Sequence, residues 1–470
     1  MAPTIAPRRY RRVLHIFRRD LRLIDNTSLN AALEQSDAVL TCFIFDPRQI
    51  QEHPFRSLPA LQFMLRSLEE LAGEISKKGG SLQLLEGEST PVVERLLEEQ
   101  SIEAVFFNRD YTPFARKRDK ALKDLCDKRG VKIHQYGDAL LHEPEAIEKK
   151  TSGPYTVYTP FMKCASQIPV RPPAGANFPI AGELVCFKSA ISPASVLGRI
   201  PQAKNPELVV KGGRAEALSI LSEIERFGDL AATRDFPALQ STTTLSAHHK
   251  FGTVSVREVY WRVRESLGAD HVLIRELFWR DFFSHIAFHF PHVFQGAFHQ
   301  NYDSIAWEND KQLFAAWCEG RTGFPIVDAG MRELNATGFM HNRVRMIVAS
   351  FLVKDLLIDW RWGERYFAQK LVDYDPAVNN GNWQWAASTG CDAQPYFRIF
   401  NPWLQQERFD NEALYIKRWV PEAKPFTPKQ LQELHEKPVA IPGYPAPIVD
   451  HAEQKNMALR LYKEAGSKKA

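Results

Sequence analysis

The chain has 470 residues, of which 44% are hydrophobic and 25% are charged, and its formal net charge is +4. A chain of this length exceeds what one hydrophobic core supports, so we expect two or more domains. Both fractions are those of a soluble globular protein. The small net charge excludes neither nucleic acid nor a small substrate, because a basic groove can form locally.

The cysteines and the apolar runs indicate the cellular compartment in which the protein is found. The six cysteines are scattered without Cys-x-x-Cys spacing, which indicates reduced intracellular thiols rather than disulfides or a zinc site. No apolar run reaches the roughly 18 residues that span a bilayer. The strand-like residues 13–17 follow the basic N-terminus, where a signal peptide would have a longer apolar segment. We therefore expect a cytoplasmic protein that does not enter a membrane.

The first third of the chain alternates strand and helix patterns. Helical patterns such as those of residues 61–71 and 91–97 separate short apolar runs, which lie at residues 13–17, 38–45, 82–85, 104–107 and 131–133. Five such units predict a doubly wound parallel sheet with a ligand crevice at the carboxyl ends of its strands. Residues 18–22 read Arg-Arg-Asp-Leu-Arg and lack the dinucleotide glycine fingerprint, so we expect no NAD-type site.

Prolines are dense between residues 142 and 210. Proline at this density interrupts helices and interior strands, so we predict a long connector, ordered around the aromatic residues 154–161. After Gly213 the patterns are helical, and all ten tryptophans lie between Trp261 and Trp419. This confinement indicates a planar ligand in the helical part, with a large helical core as the alternative.

The predicted fold class is therefore α/β + all-α. Residues 10–140 are expected to form an N-terminal doubly wound parallel α/β domain, and residues 141–210 the connector. Residues 211–470 are expected to form an all-helical C-terminal domain, with helical patterns over residues 215–227 and 342–358.

Residues 379–402 are unusual for a core helix. They combine Trp383 and Trp385 with amide side chains, glycines and a Tyr-Phe-Arg run. Small and amide residues stand where Leu or Ala would be expected, so the backbone is predicted to approach a ligand closely. The alternative is an aromatic corner in a helical core.

A second candidate is the helical segment that begins at Asn342. Asn342, Arg345 and Met346 share one helical face, and Arg343 lies on another, where it could reach a phosphate. Polar groups in a dry core are costly without partners, which favours a site. The alternative is an exposed basic helix.

Asp373 and Asp375 lie close together just before the aromatic segment. Close carboxylates repel one another and therefore need a cation or hydrogen-bond donors, and Arg345 or the polar edge of a cofactor could supply them. No third acidic or histidine ligand stands at a useful spacing, so we expect no metal.

Glu276, Trp279 and Arg280 lie on one helical stripe. An acidic acceptor, a flat ring and a guanidinium suit an unstacked base beside a backbone phosphate. The alternative is a solvent-exposed ion pair between Glu276 and Arg280. His285 and His289, at i and i+4, could chelate zinc, but core or surface histidines are the simpler interpretation because no third ligand follows.

Residues 242–246 read Thr-Thr-Thr-Leu-Ser, and hydroxyls at a helix start suit phosphate oxygens, although such runs are usually caps or turns. Taken with Glu-Leu-x-Trp-Arg at 276–280, Met-His-Asn-Arg-x-Arg-Met at 340–346 and Asn-Asn-Gly-x-Trp-Gln-Trp-Ala at 379–386, this run resembles the DNA photolyase/cryptochrome family. Within it the chain looks like class I cyclobutane pyrimidine dimer photolyases. The resemblance implies an antenna pigment in the α/β domain and a U-shaped FAD in the helical domain.

The resemblance also implies roles for individual residues around FAD. The phosphates would be held by Thr242, Thr243, Thr244, Leu245 and Ser246. The edges of the cofactor would be lined by Arg345, Asp373, Tyr374 and Asp375, and flavin N5 would face Asn379. The tryptophans that match the electron-transfer residues of the family are Trp307, Trp360 and Trp383.

UV-damaged DNA is the partner that the resemblance implies. Glu276 would bond a thymine edge, while Trp279 and Trp385 would enclose the flipped dimer. Asn342 and Met346 would lie between flavin and lesion, with Arg343 and Arg280 beside phosphates. The residues expected to take a direct part in catalysis are Glu276, Asn342 and Asn379.

For the antenna, Asp46, Asp110 and Lys250 resemble deazaflavin-binding relatives. The acidic ligand of folate-binding relatives is missing at residues 111–115, so we expect 8-hydroxy-5-deazaflavin, with folate or FMN as alternatives. The expected function is light-driven repair of pyrimidine dimers by a monomer. The alternatives are a cryptochrome-like light sensor without repair, against which Asn379 and the lack of a signalling tail speak, and a non-photochemical flavoprotein.

Overall fold

The structure, a computed structural model, describes residues 9–149, 153–174, 191–199, 205–437 and 439–467. Its N-terminal part is a sheet of five strands in the order β3-β2-β1-β4-β5. The strands are β1 (Tyr10–Phe17), β2 (Ser36–Phe45), β3 (Leu82–Glu86), β4 (Ala104–Asn108) and β5 (Lys132–Tyr136). Every neighbouring pair is parallel, so the predicted doubly wound sheet is confirmed.

Helices follow the strands because parallel strands need crossover connections. They are α1 (Thr27–Gln35), α2 (Pro47–Ile50), α3 (Leu58–Lys77), α4 (Ser89–Gln100) and α5 (Pro113–Arg129). Side-chain caps define the starts of α1, α2, α3 and α5, as where Asn26 accepts a hydrogen bond from the Leu29 backbone N–H and Thr112 from that of Ala115. The direction of strand order reverses between β1 and β4, which is where open parallel sheets bind ligands.

The predicted connector contains two short α-helices in the part that the structure describes. They are α6 (Tyr158–Ala165) and α7 (Pro193–Arg199). Phe161 and Ala165 of α6 are fully buried against the helical part of the protein. Residues 150–152, 175–190 and 200–204 of the predicted connector lie outside the described residues.

The rest of the described chain is helical, which confirms the second half of the predicted fold class. Its helices are α8 (Arg214–Ser222), α9 (Leu230–Thr233), α10 (Ser246–Phe251), α11 (Val256–Leu267), α12 (Val272–His289), α13 (Lys311–Glu319), α14 (Pro325–Thr337), α15 (Asn342–Lys354), α16 (Trp360–Lys370), α17 (Pro376–Ala386), α18 (Pro402–Phe409), α19 (Leu414–Trp419), α20 (Pro428–Gln432) and α21 (His451–Ser467). Among the described residues, none of the helices combines the length and the apolar character needed to cross a membrane.

Two predicted helices are shorter than expected. The helix predicted over residues 215–227 ends at Ser222 and continues as a 3-10 turn over Ile224–Phe227. The helix predicted over residues 342–358 ends at Lys354, and Leu357 then takes a positive φ of 52°. An apolar pattern continues past such a helix end because the following residues are buried too, so the hydrophobic periodicity does not mark the boundary.

A buried ion-pair network joins the α/β part to the helical part. Arg22 donates to Asp138 over 2.7 Å, and Arg257 of α11 donates to Asp25 over 2.7 Å and to Asp138 over 2.8 Å. Burying charges is costly unless each is paired, and here every one of them has an opposite charge within hydrogen-bond distance. The network therefore fixes the position of the sheet relative to the helices that carry the candidate site.

Candidate active site

The helix α17 packs against α12, α15 and α16, and these four helices carry most of the residues that the sequence singled out. Their close approach depends on glycines: a Cβ on Gly381 of α17 would clash with the Phe283 ring of α12, and one on Gly363 of α16 would clash with Trp383. The Asn-Asn-Gly motif was expected to bring backbone close to a ligand. The structure shows that its glycine admits a neighbouring aromatic ring, and the approach to a ligand stays a prediction.

Asp375 begins α17 and joins it to the α/β part. Its Oδ1 accepts hydrogen bonds from the backbone N–H groups of Ala377 at 3.0 Å and Val378 at 3.2 Å, and its Oδ2 accepts one from Arg19, which follows β1. Burial alone would raise the pKa of Asp375, but Arg19, Lys250 and Arg280 hold it well below its ordinary value. Asp375 is therefore an ionised helix cap.

Asp373 is paired as the sequence suggested. Arg345 donates from Nη2 to Asp373 Oδ2 over 3.0 Å and from Nη1 to Oδ1 over 3.3 Å, so the pair is bidentate. A third donor of Arg345, Nε, binds the Met340 carbonyl over 2.8 Å. Arg345 thus forms an ion pair with Asp373. The ion-pair partner of Asp375 is Arg19, which belongs to the α/β part of the protein.

Asn379 is held in one orientation by α16. Its Nδ2 donates to the Glu364 backbone carbonyl over 3.1 Å, which directs the amide oxygen away from that helix. The adjacent Asn380 donates to the Glu364 carboxyl over 3.0 Å, and Gln384 donates to Asn380 over 3.0 Å. Burial raises the pKa of Glu364 to about 7. No sequence pattern singled out Glu364, because an acidic residue in a helix is usually exposed.

The hydroxyl segment lies at the start of α10. Thr244 has a positive φ of 55°, and its hydroxyl donates to the Thr243 carbonyl over 2.7 Å. Leu245 is buried, while Thr242, Thr243 and Thr244 are half-buried and Ser246 is exposed. No side chain caps α10, so its first backbone N–H groups can bind phosphate oxygens. The segment therefore fits the phosphates of a dinucleotide cofactor.

Glu276 and Arg280, which lie on one stripe of α12, have different partners in the structure. Glu276 is half-exposed and pairs with Arg234 over 2.7 Å, so the alternative ion pair with Arg280 is not formed. The side chain of Arg280 is 13% exposed and donates to the backbone carbonyls of Ala139 at 2.5 Å and His249 at 3.4 Å. The guanidinium of Arg280 therefore links the two parts of the protein, and the DNA-binding role suggested by the sequence stays a prediction. The position of an arginine on a helical stripe does not show whether its guanidinium binds backbone carbonyls inside the protein or a DNA phosphate.

Trp279, by contrast, is half-buried at the surface of α12. On α15, Asn342 is exposed and Met346 is half-buried, so both remain accessible. Arg343 pairs with Asp235 over 2.8 Å and lies over the Phe409 ring at 4.3 Å. The residues predicted to contact a lesion thus remain accessible, while Arg343 is engaged by a neighbouring acid.

The three predicted electron-transfer tryptophans run from the interior to the surface. Trp383 of α17 and Trp360 of α16 are each 2% exposed, and Trp307 is half-buried. The ring of Trp383 lies 4.9 Å from Phe367 and 6.2 Å from Trp317, measured between centroids. The sequence did not single out Trp317, because its spacing from α17 is not local.

The predicted antenna residues fall into two places. Asp110 accepts hydrogen bonds from Arg19 at 3.3 Å and from the Tyr111 backbone N–H at 2.7 Å. Burial lowers the pKa of Lys250 to about 8, and the nearby carboxylates of Asp110 and Asp375 oppose this shift. Asp46 is engaged elsewhere, by Arg48 over 2.9 Å and by the start of α2.

Comparison with known proteins agrees with this arrangement. A family model described as DNA photolyase matches residues 13–177, and one described as the FAD binding domain of DNA photolyase matches residues 273–464. The chain is 38% identical to the deoxyribodipyrimidine photo-lyase of Synechococcus sp., an alignment that covers 96% of each chain. It is 37% identical to that of Escherichia coli, covering 96% of this chain and 98% of the other.

Solved structures give the same result. An archaeal photolyase from Sulfolobus tokodaii with two FAD molecules is 43% identical, with a TM-score of 0.87 over 96% of this chain and 100% of the other. A class III photolyase from Agrobacterium tumefaciens is 34% identical, with a TM-score of 0.88 over 99% of this chain and 100% of the other. With full-length relatives at this identity and both family models matched, the chain belongs to the DNA photolyase family.

Proposed function

We propose that the protein is a deoxyribodipyrimidine photo-lyase that repairs cyclobutane pyrimidine dimers in DNA with light and reduced FAD. The observation that carries the proposal is the convergence of three separate sequence segments on packed helices. Glu276 and Trp279 of α12 and Asn342 of α15 remain accessible, while α17 holds Asn379 in a fixed orientation. The curated relatives that match the whole chain are named for this activity.

FAD is the cofactor of the helical part, since the family model that matches residues 273–464 is an FAD-binding domain. We assign its phosphates to the uncapped start of α10 and the preceding segment, Thr242, Thr243, Thr244, Leu245 and Ser246. Its remaining polar edges are assigned to Arg345, Asp373, Tyr374 and Asn379. We assign Asp375 to the same polar edges. It also orients α17, since its carboxylate accepts hydrogen bonds from the start of that helix and from Arg19.

The chemistry that bound FAD supplies is the transfer of one electron to the dimer and its return after the ring opens. The protein supplies the binding geometry. A pyrimidine dimer pairs weakly, so its extrusion from the duplex costs less than that of normal bases, and photolyases are among the enzymes known to flip bases. Trp279 and Trp385 provide flat surfaces for the extruded dimer, and both are half-buried.

Glu276 and Asn342 are positioned to bind the polar edges of the dimer. The half-exposed Glu276 carboxylate accepts a hydrogen bond from Arg234 and can accept another from a thymine N–H. Asn342 is exposed at the first turn of α15, with Met346 one turn further along the same face. Hydrogen bonds to the dimer stabilise the charge that develops on it during electron transfer. Such electrostatic stabilisation by preorganised groups is usually the largest single contribution of a protein to lowering a reaction barrier.

The three tryptophans provide the path by which FAD is reduced. We assign the order Trp383, Trp360, Trp307 from the resemblance to the family, and exposure supports its outer end, since Trp307 is half-buried while the other two are each 2% exposed. The first two are shielded from water and the last reaches the surface, where an external reductant can restore it. Repair by flavin that is already reduced does not need this path.

For the antenna we propose a tricyclic chromophore near Asp110 and Lys250, at the carboxyl ends of the strands. The sequence favours 8-hydroxy-5-deazaflavin. The Sulfolobus tokodaii photolyase contains two FAD molecules, with the implication of a novel light-harvesting cofactor, so a second FAD is the main alternative. Chromophores released by denaturation and identified by mass and absorption test this assignment. One FAD and one deazaflavin per chain are expected; two FAD molecules would replace the deazaflavin, and a folate would overturn the tricyclic class.

The decisive experiment for the function is light-dependent repair. Purified protein with reduced FAD, mixed with a dimer-containing oligonucleotide, should restore the intact bases under blue light and not in the dark. Absence of repair despite bound, reduced FAD would instead support the sensor alternative. A cryptochrome from Synechocystis shares the fold with a TM-score of 0.84 at 27% identity, a weaker likeness than that of the photolyases. The proposals that the protein acts as a monomer and in the cytoplasm rest on the sequence.

A further inference from the structure

Trp279 does not stand alone on α12. The ring of Tyr158, the first residue of α6, lies on its indole with 3.6 Å between centroids and 7° between the ring planes. A planar ring has two faces, and Tyr158 occupies one of them, so a base can stack only on the other. From this geometry we infer that Tyr158 is a positioning residue, which orients Trp279 for the extruded dimer.

Tyr158 is itself fixed at several points. Its hydroxyl donates to the Arg275 carbonyl over 2.9 Å, and its backbone N–H donates to Asp392 Oδ2 over 2.9 Å. Its ring also meets Phe282 edge to face, with 5.8 Å between centroids. Tyr158 is only 8% exposed, so the whole side chain is part of the packed interior. A ring held in this way restricts the orientations of any ring that is stacked on it.

The remaining contacts of Trp279 leave it dependent on this support. The rings of Phe282 and Phe283, on the same helix, approach at 5.8 Å with an interplanar angle of 82° and at 5.6 Å with an angle of 31°. Neither lies parallel against the indole as Tyr158 does. Removing the Tyr158 ring would therefore leave Trp279 free to tilt away from the plane that a stacked base requires. The role rests on the proposed function, since it assumes that Trp279 contacts the dimer.

Substitution of Tyr158 in the full-length, FAD-loaded protein tests the role. Tyr158→Leu should lower the ratio of affinities for dimer-containing and undamaged duplex about two- to tenfold, the range expected for a lost aromatic pair. The single-flash repair yield should fall, while FAD content and affinity for undamaged DNA remain those of the wild type. Tyr158→Phe keeps the ring and should retain the wild-type ratio. If Tyr158→Leu loses FAD, Tyr158→Met provides the comparison, because it fills more of the volume without a flat face.

Two further variants separate this role from general destabilisation. Tyr155→Leu is the matched control, because Tyr155 lies on the same segment and its ring packs against Phe161, with 6.5 Å between centroids, rather than against Trp279. The ratio of affinities for dimer-containing and undamaged duplex in this variant should be that of the wild type. In a Trp279→Ala background, Tyr158→Leu should cause no further loss, since the two act through one contact.

The outcomes distinguish the role from the function on which it rests. If Trp279→Ala lowers the ratio and Tyr158→Leu and Tyr158→Met do not, the positioning role is overturned and the proposed function stands. If Trp279→Ala itself leaves the ratio unchanged, the assignment of Trp279 to the dimer is wrong and the role of Tyr158 fails with it. A loss in Tyr158→Phe equal to that in Tyr158→Leu would assign the effect to the hydroxyl and would also overturn the stacking role.

Discussion

The Arg343 guanidinium donates to the Asp235 carboxylate over 2.8 Å, although Arg343 is the residue assigned to a DNA phosphate. The residue before Asp235, Arg234, pairs with Glu276, which is assigned to the dimer. The adjacent residues Arg234 and Asp235 thus form ion pairs with Glu276 and Arg343, two residues assigned to DNA binding. The Asp235 carboxylate holds one donor of Arg343, Nη2, and therefore competes with a phosphate for this guanidinium.

Asp235→Asn should therefore increase affinity for DNA. Removing the competing charge leaves Arg343 available, and the gain should be up to about fivefold for damaged and undamaged duplexes alike, since a partly exposed ion pair contributes about 1 kcal/mol or less. Asp229→Asn is the matched control: it removes the same charge from an exposed position in the same region. Binding titrations of both variants check this, and an equal gain in the control would show that only the net charge matters.

Arg343→Ala should have the opposite effect. A phosphate contact carries no sequence or lesion information, so both duplexes should bind more weakly, and the slope of log affinity against log salt should decrease by about one. Titrations over a range of salt concentrations measure both quantities. Arg129→Ala, on α5 of the α/β part, serves as a distant control. A loss confined to damaged DNA would place Arg343 on the lesion instead.

Trp360→Phe should block photoreduction of oxidised FAD while repair by prereduced enzyme continues. Phenylalanine keeps an aromatic ring at this buried position but is much harder to oxidise than tryptophan, so the path from Trp383 to Trp307 is interrupted. Absorption changes under illumination and repair assays with chemically reduced protein measure the two activities. Trp317→Phe is the informative comparison, because Trp317 also lies beside Trp383. Photoreduction that survives in the first variant and fails in the second would move the path to Trp317.

Much of this arrangement could be predicted from the sequence. The five strands are apolar runs because both faces of a parallel sheet are covered, and such runs are visible in the chain. The sequence also indicates the ion pair of Arg345 and Asp373 as one possibility, since two close carboxylates require a cation or hydrogen-bond donors. The motifs also placed Asn379 and Trp383 on the same segment, which the structure shows to be α17.

The partners of these residues could not be predicted. Arg19 binds Asp375 across 356 positions, and Arg234 binds Glu276 across 42, so neither contact has a local spacing. Tyr158 lies in a proline-rich segment that was interpreted as a connector, and only packing shows that its ring supports Trp279. Arg280 occupies the predicted stripe, yet its direction is decided by buried carbonyls that no local pattern reveals. Motifs indicate which chemistry is present, whereas long-range packing decides which side chains are free to perform it.

The stability of the site should depend on pH through Glu364. Burial raises its pKa from 4.5 to about 7, so the native state holds the proton more tightly than the unfolded chain does. The stability that this provides is fully present below about pH 4.5 and is lost as the pH rises through 7. Above pH 7 the native protein contains a buried carboxylate, although the hydrogen bond from Asn380 and the charges of Arg361 and Arg365 reduce its cost.

Glu364→Gln removes this titration and keeps an oxygen that can accept the bond from Asn380. The substitution should therefore stabilise the protein more at pH 8 than at pH 5, by up to about 3 kcal/mol, because one pKa unit corresponds to about 1.4 kcal/mol. Denaturant unfolding of variant and wild type at both pH values, with bound FAD quantified in each sample, measures the difference. The same stability difference at pH 5 and pH 8 would show that Glu364 does not gain a proton on folding.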